Sequence, residues 1–194
     1  MGRAKEFDPE AALGTAMELF WERGYEATTM AHLVAALGIG RASLYATFGG
    51  KRELYLRALD RYGACHDPRL LDELSAPGPA LPGVREVVLR FADEAARATT
   101  RGRGCFVTNT AAELGARDPE AAFRVERGWA HIETLLHSAL LRARAQGELA
   151  PERDPAALAR LLLVLLQGMR VVGKVSADPA RVRDAAREAL TLLG

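Results

Sequence analysis

The sequence predicts an all-α protein. Its 194 residues contain no alternating runs rich in β-branched residues, and the helix-favouring Ala, Leu, Arg and Glu dominate. Asp-Pro pairs beginning at Asp118, Asp154 and Asp178 each supply a helix N-cap followed by proline at the first helical position. Hydrophobic residues make up 49% of the chain, which is enough for a sizeable core and argues against disorder.

The N-terminal third is predicted to contain four helices. Asp8 can cap the first helix, with Pro9 at its first position, and Gly24 can end it. Apolar residues recur at helical spacing from Ala12 to Phe20 and indicate a buried face. The four helices are predicted from about Asp8 to Arg23, Met30 to Leu37, Arg41 to Thr47 and Lys51 to about Ala64.

Five further helices are predicted in the remainder of the chain. The polar stretch from His66 to Pro68 should end or bend the fourth helix. The proline- and glycine-dense stretch from Ser75 to Gly83 should form a loop. Beyond it, the predicted helices cover residues 84–100, 105–115, 119–146, 155–173 and 179–193.

Composition and charge narrow the class of protein. The opening MGRAKEFDPE is too polar and brief for a secretory signal, and the apolar run from Leu161 to Met169 is far shorter than the roughly 20 residues of a membrane span. We therefore expect a cytoplasmic protein with reduced cysteines. The formal net charge is only +1, but residues 38–61 hold five Lys/Arg against two Asp/Glu, whereas residues 1–37 hold three against six.

The positive segment begins at Gly38-Ile39-Gly40, a tight turn that joins two short predicted helices in the arrangement of a helix-turn-helix. Gly38 permits a left-handed turn, and Ile39 can act as an apolar plug beneath it. Small residues at Gly40, Ala42 and Ser43 would let the second helix approach DNA closely. From spacing alone, a structural helix pair within a bundle is an equally good interpretation.

Polar side chains on and after this second helix can reach DNA. Arg41, Ser43 and Thr47 can contact base edges or phosphates, and arginine commonly reads guanine through two hydrogen bonds. Tyr45 offers a hydroxyl to a phosphate. Lys51 adds charge to the backbone N–H groups at the start of the next helix, where a phosphate is favoured.

The segment from Leu19 to Leu59 closely resembles the DNA-binding domain of the TetR family of transcriptional regulators. The matching elements, in order, are LF, GY and TTM in the first two helices, GI in the turn, SLY and F in the recognition helix, and K and L in the fourth helix. The resemblance implies an N-terminal three-helix helix-turn-helix domain over residues 1–48. It also implies a larger helical ligand-binding and dimerisation domain over residues 49–194, with the fourth helix, 51–64, as the connector.

The family's DNA contacts map onto matching positions of this sequence. Those implied to hold phosphates are Thr28, Thr29, Tyr45 and Lys51, and those implied to face bases are Arg41, Ala42, Ser43 and Thr47. Residues implied to be structural are Gly24, Tyr25, Ile39, Leu44 and Phe48. Arg3 and Lys5, on an N-terminal arm, can add contacts.

The resemblance further implies a repressor that binds a palindromic double-stranded DNA operator as a homodimer and is released by a small-molecule effector. In this scheme, the effector shifts the fourth helix and changes the spacing of the two recognition helices. No enzymatic activity and no cofactor are implied. The rival interpretation is a helical enzyme or small-molecule carrier whose N-terminal helix pair is only structural.

The predicted helix around Leu158 to Val175 is apolar on nearly every side from Leu161 to Leu166, so it needs cover all round. Either it is the centre of one large core, or it packs its own domain on one face and a second subunit on the other. The resemblance favours the second alternative, because TetR-like proteins usually dimerise through their last two helices. The other predicted contributor runs from Arg181 to Leu193, with Val182, Ala185, Ala186, Ala189, Leu190 and Leu193.

An effector pocket is implied by the resemblance and not by any motif. The predicted lining residues are Phe91, Phe106, Asn109, Phe123, Trp129, Ile132, Leu135 and Met169, a largely apolar set as small-molecule sites tend to have. For each of them, an ordinary place in the core is the alternative.

Cys105 is a candidate redox site. It should lie at a helix start near Arg101 and Arg103, where the helix dipole and the cations favour a thiolate. The alternative is a packed core cysteine, which is favoured because free cysteine is commonly buried. The four histidines and two cysteines have no metal-ligand spacing, so no metal site is predicted.

Overall fold

The computed structural model describes residues 7–65, 68–97 and 103–193, and this part of the chain is helical, without strands. The all-α prediction is confirmed. Arg3, Lys5 and Arg101 lie outside the described residues. The helices are α1 Pro9–Arg23, α2 Met30–Leu37, α3 Arg41–Phe48, α4 Lys51–Cys65, α5 Pro68–Ser75, α6 Ala80–Ala96, α7 Phe106–Leu114, α8 Pro119–Ala145, α9 Pro155–Val175 and α10 Ala180–Thr191.

Local capping starts four helices close to where the sequence predicts them. The side chains of Asp8, Asp118 and Asp154 accept hydrogen bonds from backbone N–H groups in the first turns of α1, α8 and α9. Asp178 accepts from the backbone N–H of Ala180 at 3.0 Å, and α10 begins one residue later than predicted. These caps operate over two or three residues, which is why the sequence alone predicts them.

The sequence analysis did not predict α5. Helix α4 ends at Cys65, and Pro68 opens α5, because proline is well tolerated in a first helical turn, where no backbone N–H partner is needed. Leu70 and Leu74 are one turn apart and buried in the same hydrophobic cluster as α6. This short helix is therefore held by its packing and not by its length.

The predicted loop from Ser75 to Gly83 is wrong at its C-terminal end, where α6 has already begun. The backbone N–H of Ala80 donates to Gln146 Oε1 at 3.0 Å, and that of Leu81 donates to Glu148 Oε2 at 2.7 Å. Both acceptors follow α8 in the sequence. The first turn of α6 is thus capped by a tertiary contact, which a local reading of the sequence does not include.

The buried side chains form two hydrophobic clusters. The N-terminal cluster contains residues of α1 to α4 together with Cys105, Phe106 and Leu114 around α7 and Ala121 of α8. The C-terminal cluster joins α5, α6, α8, α9 and α10. The predicted domain boundary after residue 48 separates α4 from the cluster to which it contributes Leu54, Tyr55, Leu56, Ala58, Leu59 and Tyr62. Helix α4 is therefore part of the N-terminal core.

Candidate nucleic-acid interface

Helices α2 and α3 have the geometry of a helix-turn-helix. The Thr29 hydroxyl accepts from the backbone N–H of His32 at 3.2 Å, and His32 Nδ1 accepts from that of Thr29 at 3.3 Å, which caps α2 reciprocally. Gly38 ends α2 with a φ of 65°, in the left-handed region. Leu44 and Phe48 are buried and anchor α3 in the N-terminal cluster.

The remaining residues of α3 face solvent. Arg41, Ala42, Ser43, Tyr45 and Ala46 are exposed, Tyr45 with 47% of its surface, and Thr47 is half-buried. The backbone carbonyl of Thr47 accepts a hydrogen bond from Arg57 Nη1 at 3.3 Å, so α4 supports the end of α3. Four of the five residues predicted to lie on this helix's DNA-facing side are thus accessible in the protomer.

Lys51 stands beside this face at the first position of α4. Its Nζ lies 4.1 Å from the centroid of the Tyr25 ring, within range of a cation–π interaction. Burial, followed by the nearby carboxylate of Glu26, raises the pKa of Tyr25, so the ring beneath Lys51 remains a neutral phenol. Tyr25 therefore positions the lysine, in keeping with the structural role implied for it.

Thr28 is placed differently from its predicted role. The residue is completely buried, and its Oγ1 donates to the backbone carbonyl of Gly24 at 2.6 Å. A hydroxyl with no exposed surface cannot reach a phosphate. The prediction of a side-chain phosphate contact at Thr28 is wrong, because its hydrogen bond closes the turn between α1 and α2. The cap of α2 is Thr29, which is exposed.

Family profiles match both parts of the chain. The profile described as bacterial regulatory proteins of the tetR family matches residues 12–58, and that described as tetracyclin repressor-like, C-terminal domain, matches residues 80–189. The chain belongs to the TetR family. It is therefore a DNA-binding transcriptional regulator with an N-terminal helix-turn-helix domain. The N-terminal match extends into α4, in agreement with the place of this helix in the N-terminal cluster.

Individual TetR-family relatives match over nearly the whole length. The uncharacterised HTH-type transcriptional regulator YezE of Bacillus subtilis is 38% identical over 194 residues, which is all of both chains. The HTH-type transcriptional repressor ComR of Escherichia coli is 34% identical over 98% of this chain and 91% of its own. A cysteine variant of the TetR family regulator CifR, complexed with 26-bp double-strand operator DNA, has a TM-score of 0.82 and 30% identity over the full length of both chains.

The predicted pocket residues of this TetR-family chain do not all lie together. Phe91 and Met169 are buried in the C-terminal cluster, and Ile132 and Leu135 pack against it, whereas Phe106 is buried in the N-terminal cluster. Four of the eight residues, on α6, α8 and α9, thus belong to the C-terminal cluster or pack against it. Their membership of an effector pocket stays a prediction.

The other three predicted pocket residues have different surroundings. Asn109 bridges α7 and α9, since its Nδ2 donates to the Arg103 carbonyl at 2.7 Å and its Oδ1 accepts from Lys174 Nζ at 3.1 Å. Trp129 is half-buried, and its Nε1 is enclosed. Phe123 is 63% exposed on α8, so it contributes to no interior cavity of a single protomer.

Cys105 is buried at the start of α7, and the cation that contacts its thiol belongs to α9. Arg170 of α9 donates from Nη1 to Cys105 Sγ at 3.2 Å, whereas the Arg103 guanidinium lies over the Trp21 ring, 4.0 Å from its centroid. Burial by itself raises the pKa of the thiol. Arg170 and hydrogen bonds from Thr108 outweigh that effect, and the pKa of Cys105 is lowered overall.

An ion pair joins α4 to the start of α8. Arg52 donates from Nε to Asp118 Oδ2 at 2.7 Å and from Nη2 to Oδ1 at 2.9 Å. Asp118 Oδ1 also accepts from the backbone N–H groups of Glu120 and Ala121. These hydrogen bonds, that from Arg52 foremost, hold the pKa of Asp118 below its usual range.

We expect acid to weaken this junction. A carboxylate with a lowered pKa in the folded protein stabilises the fold at neutral pH, and this contribution disappears as the pH falls below about 4 and through the lowered pKa. Asp118→Asn keeps an N-cap acceptor but removes the ion pair. Its free energy of unfolding should therefore fall less steeply between pH 5 and pH 3 than that of the wild type, measured by urea denaturation.

Asp154→Asn is the matched control, because Asp154 is an exposed N-cap that also precedes a proline. Its acid profile should follow the wild type. Equal acid dependence in wild-type protein and Asp118→Asn would contradict a contribution of the Arg52–Asp118 pair.

Proposed function

We propose that this protein is a cytoplasmic homodimeric repressor, which binds a palindromic DNA operator and is released by a small-molecule effector. The observation that carries the proposal is the exposed face of α3, held by two buried anchors beside a lysine at the start of α4. The chain that carries this face is similar along its whole length to a TetR family regulator whose structure was determined in complex with operator DNA. The similarity to the named repressor ComR supports repression.

The proposed DNA contacts follow the exposure of the side chains. Arg41, Ala42, Ser43 and Thr47 face the bases, and Arg41 is the main candidate for sequence readout. Thr29, Tyr45 and Lys51 hold phosphates. Because the net charge of the chain is close to zero, affinity depends on these directed contacts and not on a broad basic field.

The proposed dimer interface lies along one face of α9. The exposed apolar residues of this helix include Leu161, Val164, Val171 and Val175, at successive spacings of three, seven and four residues that keep them on one face. The opposite face, with Leu162, Leu166 and Met169, belongs to the C-terminal cluster. By length and composition alone α9 could cross a membrane, as core helices of soluble proteins also can. A partner subunit explains the second apolar face without a membrane.

The proposed contribution of α10 is smaller than the sequence suggests. Val182, Ala186, Leu190 and Leu193 of the predicted apolar set are buried in the protomer's own C-terminal cluster. Of the remaining set, Ala185 is exposed and Ala189 is half-buried, and Leu192 beside them is 38% exposed. In a four-helix dimer contact, α10 would therefore present only a narrow apolar strip next to α9.

The experiment that tests this function is selection of bound sequences from random double-stranded DNA, followed by measurement of affinity across salt concentrations. We expect a palindromic site whose binding weakens with salt and is lowered by Tyr45→Ala. Failure to bind any DNA, including its own promoter, at low salt would favour the enzyme or carrier interpretation. A reporter gene under the selected site separates repression from activation.

The effector is proposed to bind between α6, α8 and α9, near Phe91, Ile132 and Met169, and to act by shifting α4. To change occupancy appreciably, it must favour one spacing of the recognition helices by a few kcal/mol, roughly 1–3. Screening small molecules for release of the selected DNA would identify it. Compounds that release wild-type protein should lose potency against Met169→Ala if the site is correctly placed.

An oxidant that reacts with Cys105 is a second candidate effector. The observation that favours it is the Arg170 contact that stabilises a thiolate. Hydrogen peroxide would convert this thiolate to a sulfenic acid while being reduced to water. We expect peroxide to release wild-type protein from DNA but to leave Cys105→Ser bound, as followed by fluorescence anisotropy.

The control for this experiment is Cys65→Ser, which should respond like the wild type. A Cys105→Ser protein that is released as readily as the wild type would show that Cys105 is only a packed core residue.

A further inference from the structure

Glu113, near the end of α7, is bound to the turn between α1 and α2. Its Oε2 accepts from the backbone N–H of Tyr25 at 2.9 Å, and its Oε1 accepts from that of Glu26 at 2.8 Å. The two partners are separated from Glu113 by 87 and 88 residues of sequence. A carboxylate that accepts two backbone hydrogen bonds orients the segment that donates them, because both donors must point to it at once.

Gly24 shows how closely this turn and the carboxylate fit. Its φ is 83°, and a Cβ at this position would lie 2.9 Å from Glu113 Oε2 and 3.2 Å from Oε1. Glycine is therefore required here by the backbone conformation and also by the approach of the carboxylate. The Thr28 hydroxyl closes the same turn through Gly24, immediately before the cap of α2 at Thr29.

Helix α7 is also hydrogen-bonded to α9, the helix on which we place the dimer interface. Thr108 Oγ1 donates to Gln167 Oε1 of α9 at 2.7 Å, one element of the connection between α7 and α9. Glu113 lies about one turn further along α7 from Asn109 and Thr108, on the helix whose first residues are buried in the N-terminal cluster. The turn before α2 thus contacts, through one side chain, a helix that is held by α9.

We propose that Glu113 is a positioning residue for DNA binding, which fixes the turn before α2 and so the place of Thr29 and α2 on the DNA. This inference rests on the proposed function of operator binding. Glu113 acts through the backbone of Tyr25 and Glu26, since its negative charge would repel a phosphate. Its contacts with the turn should therefore raise the affinity for DNA, whereas its negative charge alone would lower that affinity.

That opposition in sign makes a sharp test possible. Removing a negative charge from a DNA-binding protein should by itself strengthen binding or leave it unchanged. We expect Glu113→Ala to weaken operator affinity about tenfold and Glu113→Gln, which keeps one carbonyl acceptor, about threefold. The slope of log affinity against log salt should stay as in the wild type, because no phosphate contact is lost.

The matched control is Glu126→Gln, which removes the same charge from an exposed position on α8. Its affinity should equal or slightly exceed that of the wild type. Amide hydrogen exchange, followed by NMR in the free proteins, gives a readout that does not depend on DNA. The amides of Tyr25 and Glu26 should exchange faster in both Glu113 variants than in the wild type. In Glu126→Gln their exchange rates should equal those of the wild type.

Wild-type affinity in Glu113→Ala would overturn the proposal, as would unchanged exchange at Tyr25 and Glu26. If Glu113→Ala does not fold, the same two readouts on Glu113→Gln decide. A wild-type protein that binds no operator would instead defeat the proposed function, and the exchange measurement would still report whether Glu113 holds the turn.

Discussion

Val164→Glu is expected to convert the proposed dimer to monomers and to lower operator affinity about a thousandfold, because a single recognition helix then contacts only one half-site. Val164 is 70% exposed near the middle of the apolar face of α9. In the proposed dimer, glutamates from both subunits would be buried close to each other in an apolar contact. Burial of two like charges there is costly enough to dissociate an interface of ordinary size.

Analytical ultracentrifugation and anisotropy with labelled operator measure the two expected changes. The fold of the protomer should survive, since Val164 does not belong to the C-terminal cluster, and circular dichroism at low temperature checks this. Leu89→Glu is the matched control, because Leu89 is a 43% exposed apolar residue on a different helix, α6. A dimeric Val164→Glu protein would mean that the subunits meet elsewhere.

Arg41→Ala and Lys51→Ala are expected to weaken DNA binding in different ways. If Arg41 reads a guanine, its loss should cost about 1–3 kcal/mol per half-site and relax specificity at that base pair, and a homodimer suffers the loss twice. Lys51→Ala should instead weaken binding to all sequences alike. It should reduce the magnitude of the salt slope by about one for each subunit, because one phosphate contact is lost per half-site.

Parallel selections of bound DNA and salt titrations with each variant separate these two effects. Arg144→Ala, which removes an exposed cation from the last turn of α8, is the control and should leave both specificity and slope unchanged. An Arg41→Ala protein that selects the same site with undiminished preference would assign sequence readout to Ser43, Thr47 or the shape of the DNA. An unchanged salt slope in Lys51→Ala would place Lys51 off the phosphates.

Much of the recognition unit could be predicted from the sequence because its determinants are local. Gly38 ends α2, and Leu44 and Phe48 lie one turn apart, so both can be buried while Ala42 and Ser43 on the other side of α3 remain exposed. The same holds for the starts of α1, α8 and α9, each set by an aspartate and a proline within three residues. Short-range caps and helical periodicity are legible in a single chain.

The exposed face of α9 could be identified only from the sequence and the tertiary structure together. The sequence shows a helix that is apolar all round, and this is compatible with a central core helix or with a subunit interface. The tertiary structure shows that Leu162, Leu166 and Met169 are buried, whereas Val164 and Val171 are not. The choice of face depends on how α6 and α8 pack against α9, and helical periodicity within α9 does not encode it.

By itself, the sequence determined the all-α fold, the family and the exposed face of α3, because caps, turns and periodic faces depend on neighbouring residues. Only the tertiary structure decided that Thr28 is buried, that Arg170 is the cation beside Cys105, and that Glu113 holds the turn before α2. Each of these features depends on the folded arrangement of the helices. The last two are hydrogen bonds between residues that are 65 and 88 positions apart in the sequence. Such contacts are set by the packing of whole helices, which no local pattern specifies.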